Sequence, residues 1–314
     1  MIVLGLRPVS SRHRAWLCRA LLGLLLLGAA CQSAPPPPDA ALVDAVEAYR
    51  AARQARLTAE DGWLSLVGLY WLHPGSNRVG SADDADVILP PDVAPAEAGV
   101  LVLEAGRVLL RAHRDSALEI DGHPFTEQVL VSDAAGEPTI VEAGRVSFYV
   151  IDRDGRLGVR VKDPEAPARR AFSGLEYFPI DPRWKVLARW VPFEQPREVR
   201  VANVIGQVTE TRVGGRVEFD FDGRTYSLLP LVDDPFTEDL FFVFADATNG
   251  EQTYHAGRFL TADPIRDGRV ELDFNRAYNP PCAFTRFATC PLPPADNRLK
   301  VAVEAGEKAY HGPH

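Results

Sequence analysis

The sequence predicts an all-β fold in which one N-terminal helix precedes two β lobes of sandwich or barrel type. Three observations carry this. Short runs of apolar and β-branched residues recur beyond Gly62, Asp-Gly and Asn-Gly pairs fall between them, and proline makes up 26 of 314 residues, where average usage is about 5%. Asp-Gly and Asn-Gly supply the positive φ of tight hairpins, and proline ends helices. Composition also bounds function. With 34 basic and 43 acidic side chains, a net charge of −9, 46% hydrophobic and 25% charged residues, the chain has the balance of a soluble globular protein. That excludes a polytopic membrane protein. It also excludes a generally basic nucleic-acid binder, whose phosphate contacts need a positive surface.

Residues 1–30 read as an export signal. Arg7, Arg12, Arg14 and Arg19 form a positive stretch without an acid, and the apolar run 20–30 follows. That run is too short for a spanning helix, which takes about 20 apolar residues. Gly28-Ala29-Ala30 before Cys31 resembles the lipobox of bacterial lipoproteins, with Gly28 where that motif usually has leucine. The resemblance implies acylation of Cys31, palmitate included; an ordinary secretory signal cut near Ala30 is the plainer alternative. Gln32 rather than an aspartate follows the cysteine. By analogy with lipoprotein sorting this implies the outer membrane, with the protein facing the periplasm. Losing four arginines and no acid takes the charge from −9 to −13, so attachment would rest on acyl chains rather than on anionic headgroups. Residues 31–39 read as a Pro-rich tether, with Pro35–Pro38 in polyproline II.

Residues 40–61 hold one helix. Asp39 is its N-cap, and Leu42, Val46, Tyr49, Arg53 and Leu57 follow at helical spacing. Its arginines, Arg50, Arg53 and Arg56, read as a solvated face. From there the strand-like runs are 63–72, 87–89, 100–103, 108–111, 118–120, 129–131, 146–151 and 157–161, which make up a first lobe over 62–162. A second lobe over 171–310 takes 186–191, 199–204, 208–213, 217–221, 225–229, 240–244, 254–260 and 270–274. The polar, proline-broken stretch Asp163–Arg170 is the seam between them. Within the first lobe, Gly75–Ser81 followed by Asp86–Leu89 resembles the opening of a forkhead-associated sandwich. The resemblance reaches the scaffold and not the phosphate site, because Ser81 stands at the arginine position.

Signatures of known chemistry are missing. The sequence contains no G-x-S-x-G elbow, H-E-x-x-H helix, P-loop or G-x-G-x-x-G fingerprint. The histidines beyond the signal are scattered, so no metal site and no cofactor is expected. Asp83-Asp84-Ala85-Asp86 and Asp233-Asp234 lack the spacing of a calcium loop, and the tryptophans read as core.

The distinctive stretch lies at 246–299. It includes Asp246–Gly250, Thr253–Leu260, Asp273–Asn275, Asn279–Thr285, Cys290–Pro294 and Asn297–Leu299. These segments closely resemble the bacterial and archaeal proteins grouped as domain of unknown function 1684. The likeness extends through Gly62–Val79, Gly158–Asp163 and Gly174–Trp184. It implies family membership and carries no activity with it.

Three readings of Cys282 and Cys290 stand side by side: a disulfide closing a Pro-rich loop in an oxidising compartment, two buried inert thiols, or a catalytic or metal-binding pair. Asp246, Thr248, Tyr254, Arg258, Asp273, Asn275, Tyr278, Asn279 and Arg298 form a polar set suited to orienting a ligand. The bland alternative makes Asp246–Gly250 a hairpin turn and Arg258–Asp273 a cross-strand ion pair. Two functions follow. One is a non-catalytic binding or scaffold protein of the cell envelope, joined to the membrane through Cys31 and to an unidentified small molecule or protein, without nucleic acid. The other is a hydrolase in which Asp246 or Asp273 acts as base and Arg258 or Asn279 stabilises developing negative charge.

Overall fold

Asp39 caps the first helix as its spacing predicts: its carboxylate accepts the Leu42 amide at 2.7 Å, and helix α1 runs Ala40–Thr58. This is a computed structural model that describes residues 37–313. The signal at 1–30, the lipidation site Cys31 and the tether up to Pro36 lie outside the described residues.

Short strands follow. In the first half they are β1 (Leu66–Trp71), β2 (Gly75–Gly80), β3 (Val87–Ile88), β4 (Gly99–Glu104), β5 (Arg107–Ala112) and β6 (Leu118–Ile120). Then come β7 (His123–Pro124), β8 (Glu127–Leu130), β9 (Val141–Ala143), β10 (Val146–Arg153) and β11 (Arg156–Lys162). One sheet has the order β1-β11-β10-β9-β6-β7 and the other β3-β2-β4-β5-β8. Val79, Leu101, Leu110, Phe148, Val150, Val159 and Val161 fill one core between them. Because side chains alternate along a strand, Tyr149 and Arg153 of β10 and Arg160 and Lys162 of β11 emerge on the opposite face.

The second half contains β12 (Lys185–Ala202), β13 (Val208–Phe221), β14 (Arg224–Leu228), β15 (Leu240–Phe244), β16 (Arg258–Ala262) and β17 (Arg269–Asp273). They form a sheet β14-β13-β12-β17 and the pair β15-β16. A second core gathers Trp184, Phe219, Phe242, Phe244, Leu260, Leu272 and Phe274, with the Trp184 and Phe221 rings stacked at 3.9 Å. Both cores lie in one compact unit that begins at Pro37. Among the described residues no barrel closes, and no helix is long and apolar enough to cross a membrane.

Several expectations need correction. The run 63–72 opens as a 3₁₀ turn, Trp63–Ser65, before β1. The runs 186–191 and 199–204 are one strand, as are 208–213 and 217–221; an irregularity between Pro192 and Arg197 absorbs the prolines without ending β12. Tyr254–Gly257 is a turn, and only Arg258 onward pairs with β15. The stretch Asp163–Arg170 packs on its neighbours. Its short helix α2 (Pro167–Arg170) brings Arg169 to donate to the Thr58 carbonyl at 2.8 Å, and Asp163 pairs with Arg145 at 2.9 Å.

The arginine stripe of α1 is a solvated face only at Arg56, which is exposed. Arg50 and Arg53 are buried, because α1 lies across a C-terminal segment that offers acceptors. Arg50 donates to the Phe178 carbonyl at 3.0 Å, and Arg53 donates to the Glu307 carboxylate at 3.0 Å and the Asn279 carbonyl at 2.9 Å.

Candidate functional site

Most of the polar set at 246–298 turns inward. Arg258 has no solvent exposure and pairs with Asp246 at 2.9 Å, not with Asp273. Its guanidinium also donates to the carbonyls of Val303 at 2.8 Å and Ala305 at 2.5 Å. The other Asp246 oxygen accepts the Thr248 amide and hydroxyl at 2.9 and 2.6 Å and the Val303 amide at 3.1 Å. Burial works against the Arg258 charge, and Asp246 opposes that effect.

Asp273 accepts from the Asn275 amide and side chain and pairs with Arg276 at 3.3 Å. Asn275 in turn holds both backbone groups of Asp181. Asn279 donates its amide to Glu307 at 2.8 Å and its side chain to the Lys308 carbonyl at 2.7 Å. Tyr254 donates to the Cys282 carbonyl at 3.2 Å. Arg298 is exposed and reaches the Pro293 carbonyl at 3.4 Å. These side chains fasten the C-terminal segment to the second core and do not converge on an open pocket. The structure joins Cys282 to Cys290, with their Cα atoms 6.1 Å apart.

One member of the set, Tyr278, does reach a groove, which the sequence reading did not anticipate. The groove comprises two cavities of about 370 and 350 Å³ that share Arg53, Arg56 and Trp63. Three parts of the chain build it: α1 contributes Tyr49, Arg53 and Arg56; the outer face of β10 and β11 contributes Tyr149 and Lys162; β15 and β16 contribute Phe241, Phe259 and Thr261. The last three share one face by strand alternation, opposite Phe242 and Leu260 in the core. Phe241 and Phe259 meet edge to face at 4.9 Å, and Phe259 meets Tyr278 the same way at 5.7 Å.

The electrostatics of the groove are positive within an acidic molecule. Arg53 is neutralised by Glu307, whose carboxyl is pushed up by burial while Arg53 and the Asn279 amide hold it down. Among the described residues no carboxylate lies within ion-pairing distance of Arg56 or Lys162. Burial pulls the Lys162 ammonium below the usual lysine range; Asp61 opposes that shift and Arg160 adds to it. The Lys162 ammonium lies 5.2 Å from the centre of the Tyr149 ring, and Arg160 lies 5.2 Å from that of Trp63. Burial raises the Tyr49 and Tyr278 hydroxyls above the ordinary tyrosine value, so both remain donors. Two cations outside any ion pair, with Asp61 the carboxylate on their wall, together with hydroxyl donors and an aromatic wall make a surface for an organic anion. Among the described residues no cluster of His, Cys, Asp and Glu is arranged to hold a metal ion. The sequence signal that could have found it is the arginine spacing of α1, which reads locally as a solvated face.

Fold and site thus define an all-β protein with a composite, cation-bearing groove. A family model described as a protein of unknown function (DUF1684) matches residues 170–308. Among solved structures, the chain is similar to an uncharacterised protein of Haloarcula marismortui. The two are 35% identical over 46% of this chain and 82% of that one, with a TM-score of 0.38. A forkhead-associated domain studied for phosphothreonine-dependent interactions is 17% identical over 30% of this chain and 92% of its own, with a TM-score of 0.21. No curated protein matches the chain. The chain belongs to this family of proteins of unknown function.

Proposed function

We propose that the protein is a non-catalytic binding protein of the cell envelope, anchored through acylated Cys31, that takes a small organic anion with an aromatic or apolar body. The observation that carries this reading is the pairing of Arg56 and Lys162, neither of them in an ion pair although Asp61 shares the wall, with the aromatic groove between α1 and the two halves of the chain. A carboxylate or phosphate would meet the cations while the body of the ligand packs on Trp63, Phe241 and Tyr278. The alternative, a hydrolase using Asp246 or Asp273, finds little support, because Asp246 is sealed and fully engaged and Asp273 is held by Asn275 and Arg276.

The test is titration of the soluble chain with aromatic carboxylates and their neutral amides, read by tryptophan fluorescence and calorimetry. Carboxylates bind and amides do not; equal binding of both, or of neither, overturns the reading. The anchoring has its own test. Cys31→Ala or globomycin blocks maturation and membrane retention, and unchanged fractionation refutes it.

A further inference from the structure

A second cavity, of about 420 Å³, shares no lining residue with the groove. Its wall includes Glu251, Tyr254, His255, Cys282, Arg286 and His311. Cys282 is half-buried and is among the residues lining this space, its side chain also packing on the cluster of Val243, Phe259 and Ala288, while Cys290 is only 6% exposed. The two residues hold each other's sulfur: the Cys282 amide donates to Cys290 Sγ at 3.1 Å, and the Cys290 amide donates to Cys282 Sγ at 3.2 Å. A backbone N–H aimed at sulfur stabilises the thiolate relative to the thiol. Arg286 is exposed at the cavity wall and, among the described residues, has no carboxylate within ion-pairing distance. A cation on the same wall as a disulfide favours both the incoming and the departing thiolate, and Glu251 on that wall works against it.

We propose that this cavity is a thiol–disulfide exchange site, with Cys282 as the attacked sulfur and a dithiol as the reductant. One thiolate of the dithiol attacks Cys282 Sγ. A mixed disulfide forms, the Cys282–Cys290 bond breaks, and Cys290 leaves as a thiolate that accepts the Cys282 amide. The second thiolate of the dithiol then attacks its own sulfur in the mixed disulfide and closes the dithiol into a disulfide. Cys282 is released as a thiolate that accepts the Cys290 amide. The protein disulfide gains two electrons, the dithiol loses two, and the dithiol's two protons pass to the solvent or to the new thiolates.

The test treats the folded chain with dithiothreitol and maps maleimide-labelled cysteines by mass spectrometry. The expected result is reduction of Cys282–Cys290 in the folded protein at a rate within about tenfold of that in urea, slowed severalfold by Arg286→Ala. With glutathione disulfide, Cys290→Ser forms a glutathione adduct on Cys282, whereas in Cys282→Ser the Cys290 thiol reacts only after unfolding. A pair that resists dithiothreitol until the chain unfolds overturns the proposal, as does equal reactivity of the two cysteines. The wild-type measurement stands even where a serine variant does not fold, and none of these readouts depends on the groove.

Discussion

Arg258 and Asp246 face each other at 2.9 Å with neither side chain reaching solvent, and the same guanidinium binds the carbonyls of Val303, Ala305 and Glu307. The pair is therefore the fastener of the C-terminal segment. Removing one charge strands the other in a dry interior, which costs about 3–5 kcal/mol. Arg258→Met and Asp246→Ala are each expected to lower the unfolding free energy by that amount in urea. The double variant should lose clearly less than the sum, because its second change removes a charge already stranded.

Asn297 plays a comparable part without charge. Its side chain accepts the Leu229 amide at 2.7 Å and donates to the carbonyls of Leu229 and Val243 at 3.0 Å each. Asn297→Leu leaves those backbone groups buried and unpaired, at about 1–3 kcal/mol per group. Chemical denaturation should show a loss of at least about 2 kcal/mol with an unchanged denaturant slope.

For the groove, Arg56→Ala combined with Lys162→Ala should weaken aromatic carboxylates by about tenfold or more, since charge-assisted hydrogen bonds contribute about 1.5–3 kcal/mol each. The pH dependence follows from Lys162. Burial lowers its ammonium below the ordinary lysine value of about 10.4, so the positive charge disappears earlier than usual as pH rises. Affinity should fall through that window in the wild type. Lys162→Ala should flatten the profile there, as calorimetry at successive pH values would show.

Arg153 links the halves of the chain. It pairs with Asp133 at 2.7 Å and donates to Thr289 Oγ1 at 3.0 Å. Burial raises the Asp133 carboxyl, but hydrogen bonds from Arg153 and the Asp152 amide outweigh burial and hold it below the usual value. The folded state therefore binds fewer protons than the unfolded one. The stabilisation is complete above the unfolded value of about 3.9 and is lost as pH falls from there toward the folded value. Asp133→Asn should cost up to about 1 kcal/mol at neutral pH and leave a shallower acid limb in the curve of stability against pH.

Local chemistry made much of the fold readable. Asp39 is followed by an apolar stripe, and Leu240–Phe244 is a strand with the bounds its residues suggest. Strand β2, Gly75–Gly80, escaped because Gly75-Ser76-Asn77 has little β propensity. Its place comes from pairing with β4 and from Asn77, whose buried side chain binds the backbone of His73, Gly75 and Leu101. Tertiary context of this kind overrides propensity. The polar residues at 246–279 were legible as a cluster, but their direction was not. Nothing local reveals that Val303–Glu307 will supply the backbone partners that turn them inward. The burial of Arg53 likewise depends on Glu307, which lies 254 positions away.

The composite groove draws on both sides of the boundary at which the family match begins. The matched segment, 170–308, contains Phe241, Phe259 and Tyr278, the apolar wall. Arg53, Arg56 and Lys162 all lie upstream of it. A fragment cut to those limits would keep Phe241, Phe259 and Tyr278 but lose Trp63 and every cation of the groove. Ligand binding would thereby report whether the helix and both β halves are assembled.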